Sequence, residues 1–321
     1  MRLFVKETAY WQAAYWQREK MHSSPFPTQH ASHLMFSRIA IIGTGLLGAS
    51  IGLAVRRSLP LCRIVGIGRR QTTLDSAKRI GAIDEPSLTI AEGVAGCDLV
   101  VICTPVGQIV GQIFEVAQAA DNAPIITDVG STKQTICDAV ESQEPLPNGC
   151  RFLGCHPIAG GEKTGPDAAR ATLFENRAVV LTPTRSCDEK TLDTLHAFWE
   201  MLGARISCMS PEEHDRTLAR TSHLPHVVSA VLATVCDRRK YGAFCGTGYD
   251  GMTRLAVGSP ELWRDILVAN RVSVCQAIEE FEQTCRQFRE TLEHNDMDAV
   301  MQFLEMADSC ARKVELGTGA L

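Results

Sequence analysis

Short apolar runs alternate with helical segments along residues 38–208, and this alternation is the clearest pattern in the chain. Continuous apolar runs of this length are typical of strands that are buried on both faces, as in a parallel sheet covered by helices. The runs lie at 38–42, 63–67, 99–103, 125–128, 178–181 and 205–208. The pattern predicts an α/β Rossmann-like N-terminal domain with a mostly parallel sheet over residues 36–209.

The predicted strands stop after Ser210, and two helical stretches follow, to about residue 237 and from 260 to about 292. In the second stretch, apolar residues recur in alternating steps of four and three from Val274 to Leu292. This spacing is typical of a core helix and also of a helical seam between two copies of a chain, and both interpretations stay open. We expect residues 210–321 to form an all-α domain for substrate binding or dimerisation, with a homodimer as the assembly.

Residues 1–35 lack the periodicity of the rest of the chain. They contain no continuous apolar segment of the kind found in secretory signals, and Glu7 and Glu19 argue against a transit peptide. We expect a poorly ordered N-terminal arm, which is either a native disordered segment or the product of a start codon assigned too early.

Composition narrows the class of protein. The 321 residues are about twice the usual domain size, and 45% of them are hydrophobic, which fits two globular domains. A formal net charge of −5 gives no reason to expect nucleic acid or a membrane surface as partner. The 13 cysteines are irregularly spaced and include no C-x-x-C pair, as expected for reduced thiols in a cytoplasmic protein without a metal site.

A glycine-rich turn follows the first predicted strand and opens a predicted helix. It reads Gly43-Thr44-Gly45-Leu46-Leu47-Gly48. In such a motif the first glycine permits a tight turn, the second lets the backbone approach a pyrophosphate, and the third allows close packing of helix and strand. The free N–H groups of the helix N-terminus then bind the phosphates. We predict a dinucleotide site here, extended by Thr104-Pro105-Val106 at the end of the third predicted strand.

The end of the second predicted strand indicates which dinucleotide binds. NAD sites place an acidic residue there for the ribose 2′-hydroxyl, whereas NADP sites favour arginine for the 2′-phosphate. This chain has Gly68 at that point, followed by Arg69 and Arg70. We therefore expect NADP to be preferred over NAD, with a pair of solvated surface arginines as the alternative.

A histidine, His156, lies in a glycine-rich segment at 154–165, beyond the nucleotide-binding unit. Its ordinary pKa lies near neutrality, so it is a candidate general base. Spacing alone leaves a structural histidine as the alternative. At Ser131 and Thr132, spacing alone favours capping of the next helix.

From about residue 38 to the end of the long helix, the chain resembles the prephenate/arogenate dehydrogenase family of tyrosine biosynthesis. Besides the glycine turn, the resemblance rests on Asp-x-Gly-Ser-x-Lys at 128–133, His-Pro-Ile-Ala-Gly-x-Glu-Lys-x-Gly from His156, Ser-His-Leu-Pro-His at 222–226, Thr-Arg-Leu-Ala at 253–256, and Trp263. The segment from His156 combined with Ser-His-Leu-Pro-His is far more specific than the glycine turn.

The resemblance implies an NAD(P)-dependent oxidative decarboxylation. Hydride leaves C4 of a cyclohexadiene, the 4-hydroxyl loses its proton to a base, and loss of CO2 makes the ring aromatic. The products are 4-hydroxyphenylpyruvate from prephenate and tyrosine from arogenate. Neither a metal nor a covalent intermediate is required.

The resemblance also implies roles for individual residues. His156 matches the histidine that accepts the hydroxyl proton, and Ser131 matches a serine that hydrogen-bonds the substrate hydroxyl or the base. Arg254 matches an arginine that binds a substrate carboxylate, and His226 matches a second substrate-site histidine. Glu162 and Trp263 match pocket or gate residues.

Helical spacing adds one histidine to these candidate site residues and argues against including a second. His223 and His226 lie three residues apart and share a helix face, so we include His223 among the substrate residues. His214 lies twelve residues before His226, which in a regular helix is about 120° away. We interpret His214 as a structural or interdomain residue.

One position departs from the family pattern. Members often carry an acid three residues before the arginine, but this chain has Gly251 there and Asp250 one step earlier. An ion pair that tunes Arg254 is therefore expected to be shifted or lost.

Two other functions are weighed against this one. A two-domain dehydrogenase of the β-hydroxyacid or imine reductase type would usually rely on a catalytic lysine in the helical domain. A non-catalytic NADP-binding sensor would not need His156, Ser131 and Arg254 to converge at the nicotinamide, which is the arrangement our interpretation requires.

Overall fold

The structure is a computed structural model that describes residues 35–161 and 163–312. The expected N-terminal arm, apart from Met35, lies outside the described residues, as does the candidate site residue Glu162. All helices and strands are those of the described residues.

Eight strands of the described residues form one sheet. They are β1 (Arg38–Ile42), β2 (Arg63–Ile67), β3 (Glu85–Ser87), β4 (Leu99–Ile102), β5 (Ile125–Asp128), β6 (Arg151–Pro157), β7 (Ala178–Thr182) and β8 (Arg205–Cys208). Their order is β3-β2-β1-β4-β5-β6-β7-β8. All neighbours are parallel except β6 and β7, so the carboxyl ends of β1 to β6 lie at one edge of the sheet.

Helices cover this sheet and form the C-terminal region. They are α1 (Leu46–Ser58), α2 (Gln71–Arg79), α3 (Ile90–Gly93), α4 (Val106–Ala119), α5 (Gln134–Glu141), α6 (Glu189–Met201), α7 (Pro211–Leu218), α8 (Leu224–Val235), α9 (Arg238–Tyr241), α10 (Thr247–Thr253), α11 (Pro260–Ala269), α12 (Arg271–Glu293) and α13 (Met297–Ala311). A π-helical turn, Ala219–His223, lies between α7 and α8, and short 3₁₀ turns include Arg254–Ala256.

Strand β1 shows why the apolar runs predicted buried strands. Ile39 and Ile41 pack into the core on one face of the sheet, whereas Ala40 and Ile42 pack into the core on the other. Because consecutive side chains of a strand point to opposite faces, a strand with helices on both sides has no polar positions. The predicted fold class, a Rossmann-like α/β domain with a mostly parallel sheet followed by a helical region, is confirmed.

Two strands lacked a signal in the sequence. β3 has only three residues, and its Glu-Pro-Ser sequence carries no apolar run. β6 contains Gly154 and ends in His156 and Pro157, which resemble a loop in sequence. The expected helical stretch at 260–292 is divided at Asn270 into α11 and α12.

Contacts within the chain define two compact units. The first contains the described residues up to Thr217 together with Gly258–Asn270, and the second contains Leu218–Val257 and the residues from Arg271 onward. In the second unit, Phe288 of α12 packs on Phe303 of α13 with their ring centres 4.7 Å apart. No helix of the described residues is long and apolar enough to cross a membrane.

Candidate active site

The glycine turn after β1 leaves room for a ligand at one position and none at the other two. Gly43 has a φ of 92°, and a Cβ there would lie 2.8 Å from the carbonyl oxygen of Cys103. A Cβ on Gly48 would lie 2.1 Å from the carbonyl oxygen of Gly43. Gly45, by contrast, has no atom within 4 Å of its virtual Cβ. The space at Gly45 is what a pyrophosphate approaching the backbone requires.

Helix α1 begins directly at this opening. Its N-cap is Gly45, no side chain caps it, and no acidic residue lies in its first turn. The first N–H groups of the helix and the positive end of its dipole are therefore available to an anion. The hydroxyl of Thr44 is buried without a hydrogen-bond partner among the described residues, and a bound phosphate or water would satisfy it. This part of the chain fits a dinucleotide.

The sheet order places the turn at the point where ligands bind in such folds. β1 pairs with β2 on one side and with β4 on the other. The chain first adds β2 and β3 on one side of β1 and then crosses over to add β4 on the other side, so the strand order reverses between β1 and β4. Thr104 and Pro105 follow β4, and α4 begins at Val106. The Thr104 hydroxyl contacts Gln112 Oε1 at 2.5 Å.

Arg69 and Arg70 follow β2 at the same edge of the sheet and are exposed. Among residues 35–161 and 163–312, neither guanidinium forms an ion pair or a hydrogen bond. Two cations that are not neutralised by acids lie where a 2′-phosphate is expected.

His156 lies on β6, the strand next to β5, at the carboxyl edge of the sheet. The side chain is 9% exposed. Its Nδ1 lies 2.8 Å from Nε2 of His214 in α7, and the two rings meet edge to face with their centres 5.0 Å apart. The preceding thiol of Cys155 is buried, which raises its pKa to about 12, so it is not a thiolate near neutral pH.

His214 is hydrogen-bonded on its far side to the next residue in the chain. Its Nδ1 lies 2.7 Å from Oδ1 of Asp215, and both side chains are almost completely buried. Burial lowers the pKa of His214, although the hydrogen bond to Asp215 acts in the opposite direction. His214 is therefore neutral around pH 7.

Asp215 is fixed by the N-terminal end of α5. The backbone N–H of Lys133 donates to Oδ1 at 2.8 Å, and that of Gln134 donates to Oδ2 at 3.0 Å. The Asn270 amide donates to the Asp215 carbonyl oxygen at 2.7 Å. These bonds hold α7 against α5 and keep His214 facing His156.

A buried ion pair supports the same region. Lys133 Nζ and Asp128 Oδ2 are in contact, and both side chains are 0% exposed. Asp128 also accepts hydrogen bonds from the backbone of Gly130 at 2.8 Å and Cys155 at 3.3 Å. Through its bond from Cys155, Asp128 ties the end of β5 to β6, and the loop between β5 and α5 carries the half-buried Ser131.

Helical spacing placed His214 away from the face shared by His223 and His226, and it gave no indication that His214 contacts the candidate base. The 120° rotation assumed one regular α-helix from His214 to His226, but the π-helical turn Ala219–His223 interrupts it. In addition, the partner of His214 lies 58 residues earlier in the chain, where helix periodicity gives no information. Lys133 and Asp215 were missed as well, although Lys133 belongs to the 128–133 motif and Asp215 directly follows a histidine.

In the helical unit, two side chains of α8 hold the turn that carries Arg254. His226 is hydrogen-bonded to the backbone of Leu255, and the Ser229 hydroxyl accepts a 2.9 Å bond from the Ala256 N–H. Burial lowers the pKa of His226, and the bond to Leu255 opposes that shift. Arg254 opens the 3₁₀ turn and is exposed.

The other candidates are placed as follows. His223 is buried at the end of the π-helical turn, in which the Leu224 N–H donates to the Ala219 carbonyl five residues earlier. Asp250 pairs with Arg238 at 2.8 Å. Trp263 lies on α11, in the first unit.

Comparisons with known proteins extend over both parts of the chain. The family model described as prephenate dehydrogenase, nucleotide-binding domain, matches residues 51–208, and that described as prephenate dehydrogenase, dimerization domain, matches residues 210–306. A prephenate dehydrogenase of Bacillus subtilis (strain 168) is 34% identical over 279 residues, which are 85% of this chain and 75% of the relative.

Two solved structures are similar. Prephenate dehydrogenase from A. aeolicus, crystallised with hydroxyphenyl propionate and NAD+, has a TM-score of 0.79 and 29% identity over 88% of this chain and 98% of its own. Synechocystis arogenate dehydrogenase has a TM-score of 0.74 and 27% identity over 85% of this chain and 98% of its own. The family resemblance seen in the sequence is confirmed, and the chain belongs to the prephenate/arogenate dehydrogenase family, as an oxidoreductase of that type.

Proposed function

We propose that this enzyme oxidatively decarboxylates prephenate or arogenate and prefers NADP. The observation that carries the proposal is the position of His156: a histidine with a fixed hydrogen-bond partner lies at the sheet edge that also holds the glycine turn. Ligands bind at this edge of open α/β sheets, so a base there lies on the cofactor side of the domain.

In this reaction, residues of the chain accept a proton and orient the reacting groups. A nicotinamide dinucleotide held at the glycine turn would supply the oxidant for the hydride that leaves C4 of the ring. His156 accepts the proton of the 4-hydroxyl, a role that typically contributes about 10²–10⁴ in rate. Ser131 hydrogen-bonds the hydroxyl or the base and so fixes their relative orientation. Loss of CO2 then completes an aromatic ring, so no further base is required.

The remaining candidates bind the substrate. Arg254 pairs with a carboxylate, where a charge-assisted hydrogen bond contributes about 1.5–3 kcal/mol and orients the ring. His226 and His223 are proposed to contact the substrate as well, and His226 also holds the Arg254 turn through Leu255. The family resemblance implies pocket or gate roles for Glu162 and Trp263.

The dinucleotide is bound by the glycine turn and by the residues after β2 and β4. The backbone of Gly43, Gly45, Leu46, Leu47 and Gly48 would hold the pyrophosphate. Thr104, Pro105 and Val106 would line the cofactor, and Arg69 and Arg70 would bind the 2′-phosphate of NADP. The exposed, uncompensated guanidinium pair supports NADP over NAD.

We further propose a homodimer formed through the helical unit. Large apolar side chains on α12 and α13 are exposed in the single chain: Phe281 by 40%, Leu292 by 56%, Met301 by 58% and Leu304 by 52%. Apolar surface concentrated on two neighbouring helices is typical of an interface. A second copy of the chain is the occupant, in agreement with the dimerization-domain match.

Steady-state kinetics with prephenate and arogenate, each with NAD and NADP, tests the function. We expect cofactor reduction with at least one substrate and a higher kcat/KM with NADP. Tight NADP binding without turnover of either substrate would indicate a sensor and contradict the proposal.

Replacing Arg254 by Gln tests carboxylate binding separately. We expect the KM of the substrate to rise by about 10–100-fold, because a charge-assisted bond is lost. The KM of the cofactor serves as the internal control and should be unchanged. An unchanged substrate KM would remove Arg254 from this role.

A further inference from the structure

We propose that His214 and Asp215 are positioning residues that hold His156 in the tautomer with its proton on Nδ1, so that Nε2 is the proton-accepting nitrogen. The inference rests on the proposed function of His156 as the base. It adds His214, which helical spacing had kept out of the substrate residues, and Asp215, which the sequence analysis did not single out, and it explains how the base is kept ready.

The chain of hydrogen bonds starts at Asp215, whose carboxylate only accepts. Both oxygens receive backbone N–H groups, from Lys133 at 2.8 Å and Gln134 at 3.0 Å. These groups belong to the start of α5, where the helix dipole stabilises a negative charge. A protonated Asp215 would set its own O–H against one of these donors. Asp215 is therefore ionised.

The second step fixes His214. Because Asp215 Oδ1 accepts, the nitrogen 2.7 Å away, Nδ1 of His214, must carry a proton. His214 is 0% exposed, and burial lowers its pKa, so the ring is neutral. A neutral imidazole with its proton on Nδ1 has only a lone pair on Nε2.

The third step transfers this constraint to His156. Nε2 of His214 can only accept, and it lies 2.8 Å from Nδ1 of His156. Nδ1 of His156 therefore donates, and the lone pair of the neutral ring is on Nε2. A positively charged His214 would reverse this bond and place the lone pair of His156 on the wrong nitrogen.

The same arrangement stabilises the product of proton transfer. When Nε2 of His156 takes up the hydroxyl proton, the O–H bond breaks, a new N–H bond forms, and the ring becomes a cation. Its Nδ1–H bond to His214 is then charge-assisted, with the carboxylate of Asp215 behind it. The other charged groups facing His214 are Lys133 and Asp128, and they neutralise each other in their buried ion pair.

Nitrogen NMR of histidine-labelled enzyme, without substrate and at a pH where an ordinary histidine is neutral, tests the tautomer directly. The His156 signals are assigned by their loss in His156→Asn. We expect the proton of His156 on Nδ1 and that of His214 on Nδ1. A His156 ring protonated on Nε2 would overturn the inference, whatever the activity of the enzyme.

Two substitutions of His214 separate positioning from packing. His214→Leu removes the acceptor, whereas Gln has a side-chain carbonyl that can accept the same bond. We expect His214→Leu to lower kcat by about 10²–10⁴ without a matching rise in KM, because a base in the wrong tautomer cannot accept the proton. His214→Gln should recover a large part of kcat. His196→Gln, on α6, is the matched control and should keep wild-type kcat.

The NMR spectrum distinguishes the possible failures. Equal losses of kcat in the Leu and Gln variants, with His156 still protonated on Nδ1 in both, would contradict the positioning role. If His214→Leu does not fold, the inference is still tested by the tautomer of His156 in the unmodified enzyme and by the kcat of the Gln variant. An enzyme that shows the expected tautomer but turns over neither substrate would contradict the proposed function and leave the hydrogen-bond chain in place.

Discussion

The region around His156 and the region around Arg69 and Arg70 lie along the same edge of one sheet but are built in opposite ways. Around His156, the charged and titratable groups Asp128, Lys133, His214 and Asp215 are buried and hydrogen-bonded to one another or to the backbone. The arginine pair is exposed and has no acidic partner among the described residues. Under the proposed function, the group that accepts a proton is oriented in advance, whereas the groups proposed to bind the 2′-phosphate are left for the ligand to neutralise.

The largest effect is expected at the centre of the buried region. His156→Asn should lower kcat by about 10²–10⁴ while leaving the Kd of the cofactor unchanged, because the general base is lost and the nucleotide site is not altered. Rapid kinetics and a cofactor-binding titration measure the two quantities. A rate near that of the wild type would remove His156 from the role of base.

Breaking the buried ion pair should mainly affect stability. Lys133→Met leaves the carboxylate of Asp128 buried without its cation, which is expected to lower the free energy of unfolding by about 3–5 kcal/mol. Chemical denaturation measures this. Arg79→Gln is the control, because its pair with Asp167 is exposed, with 67% of each side chain accessible, and should contribute about 1 kcal/mol or less. Equal losses of unfolding free energy in the two variants would show that the buried Lys133 pair contributes no more to stability than an exposed pair.

In the exposed arginine pair, replacing Arg69 and Arg70 together by Gln should change the affinity for the cofactor and not the free energy of unfolding. We expect the KM for NADP to rise by about tenfold and the KM for NAD to change little, because only NADP carries the 2′-phosphate. Arg205→Gln, another exposed arginine on this sheet, is the control. Equal effects on the two cofactors would refute the NADP preference.

The smallest expected effect is a pH dependence of stability. Burial lowers the pKa of His214 in the folded protein, so below about pH 6.5 the unfolded chain binds a proton that the folded chain does not. The stability that this group contributes is complete above that pH and falls as the pH is lowered towards 5. The free energy of unfolding of the wild type should fall more steeply than that of His214→Gln.

Asp138 and Glu144, whose pKa values are raised by burial, are present in both proteins and cancel in this comparison. Parallel curves for the wild type and His214→Gln between about pH 7 and 5 would show that His214 is charged in the folded state as well. The tautomer argument would then hold only at a pH where an ordinary histidine is neutral.

The parts of the fold that sequence predicted well are those determined by local pattern. The apolar runs marked β1, β2, β4 and β5, because each of these strands is covered on both faces. β6 lacked this pattern because Gly154 and His156 interrupt it. The strand that carries the candidate base was therefore taken for a loop.

Within the candidate site, prediction from sequence reached single residues but not the network that joins them. His156 was a candidate base from its residue type and its glycine-rich segment, and the family resemblance added Ser131. The contact between His156 and His214 joins residues 58 positions apart, on a strand and a helix, and only the folded chain brings them together. Burial of Lys133 could not be expected from residue type either, since lysine is almost never fully buried unless it is paired.

The π-helical turn before α8 carries a constraint on chain length. Leu224 bonds to the carbonyl five residues earlier, so this stretch holds one residue more than a regular helix would need. Each residue of an α-helix advances the chain by about 100° around its axis. Deleting one residue of the turn would keep every side chain of α8 but rotate His226 and Ser229 away from the Leu255 and Ala256 backbone. The phase of this helix, and with it the support of Arg254, is thus encoded by a count of residues and not by their identity alone.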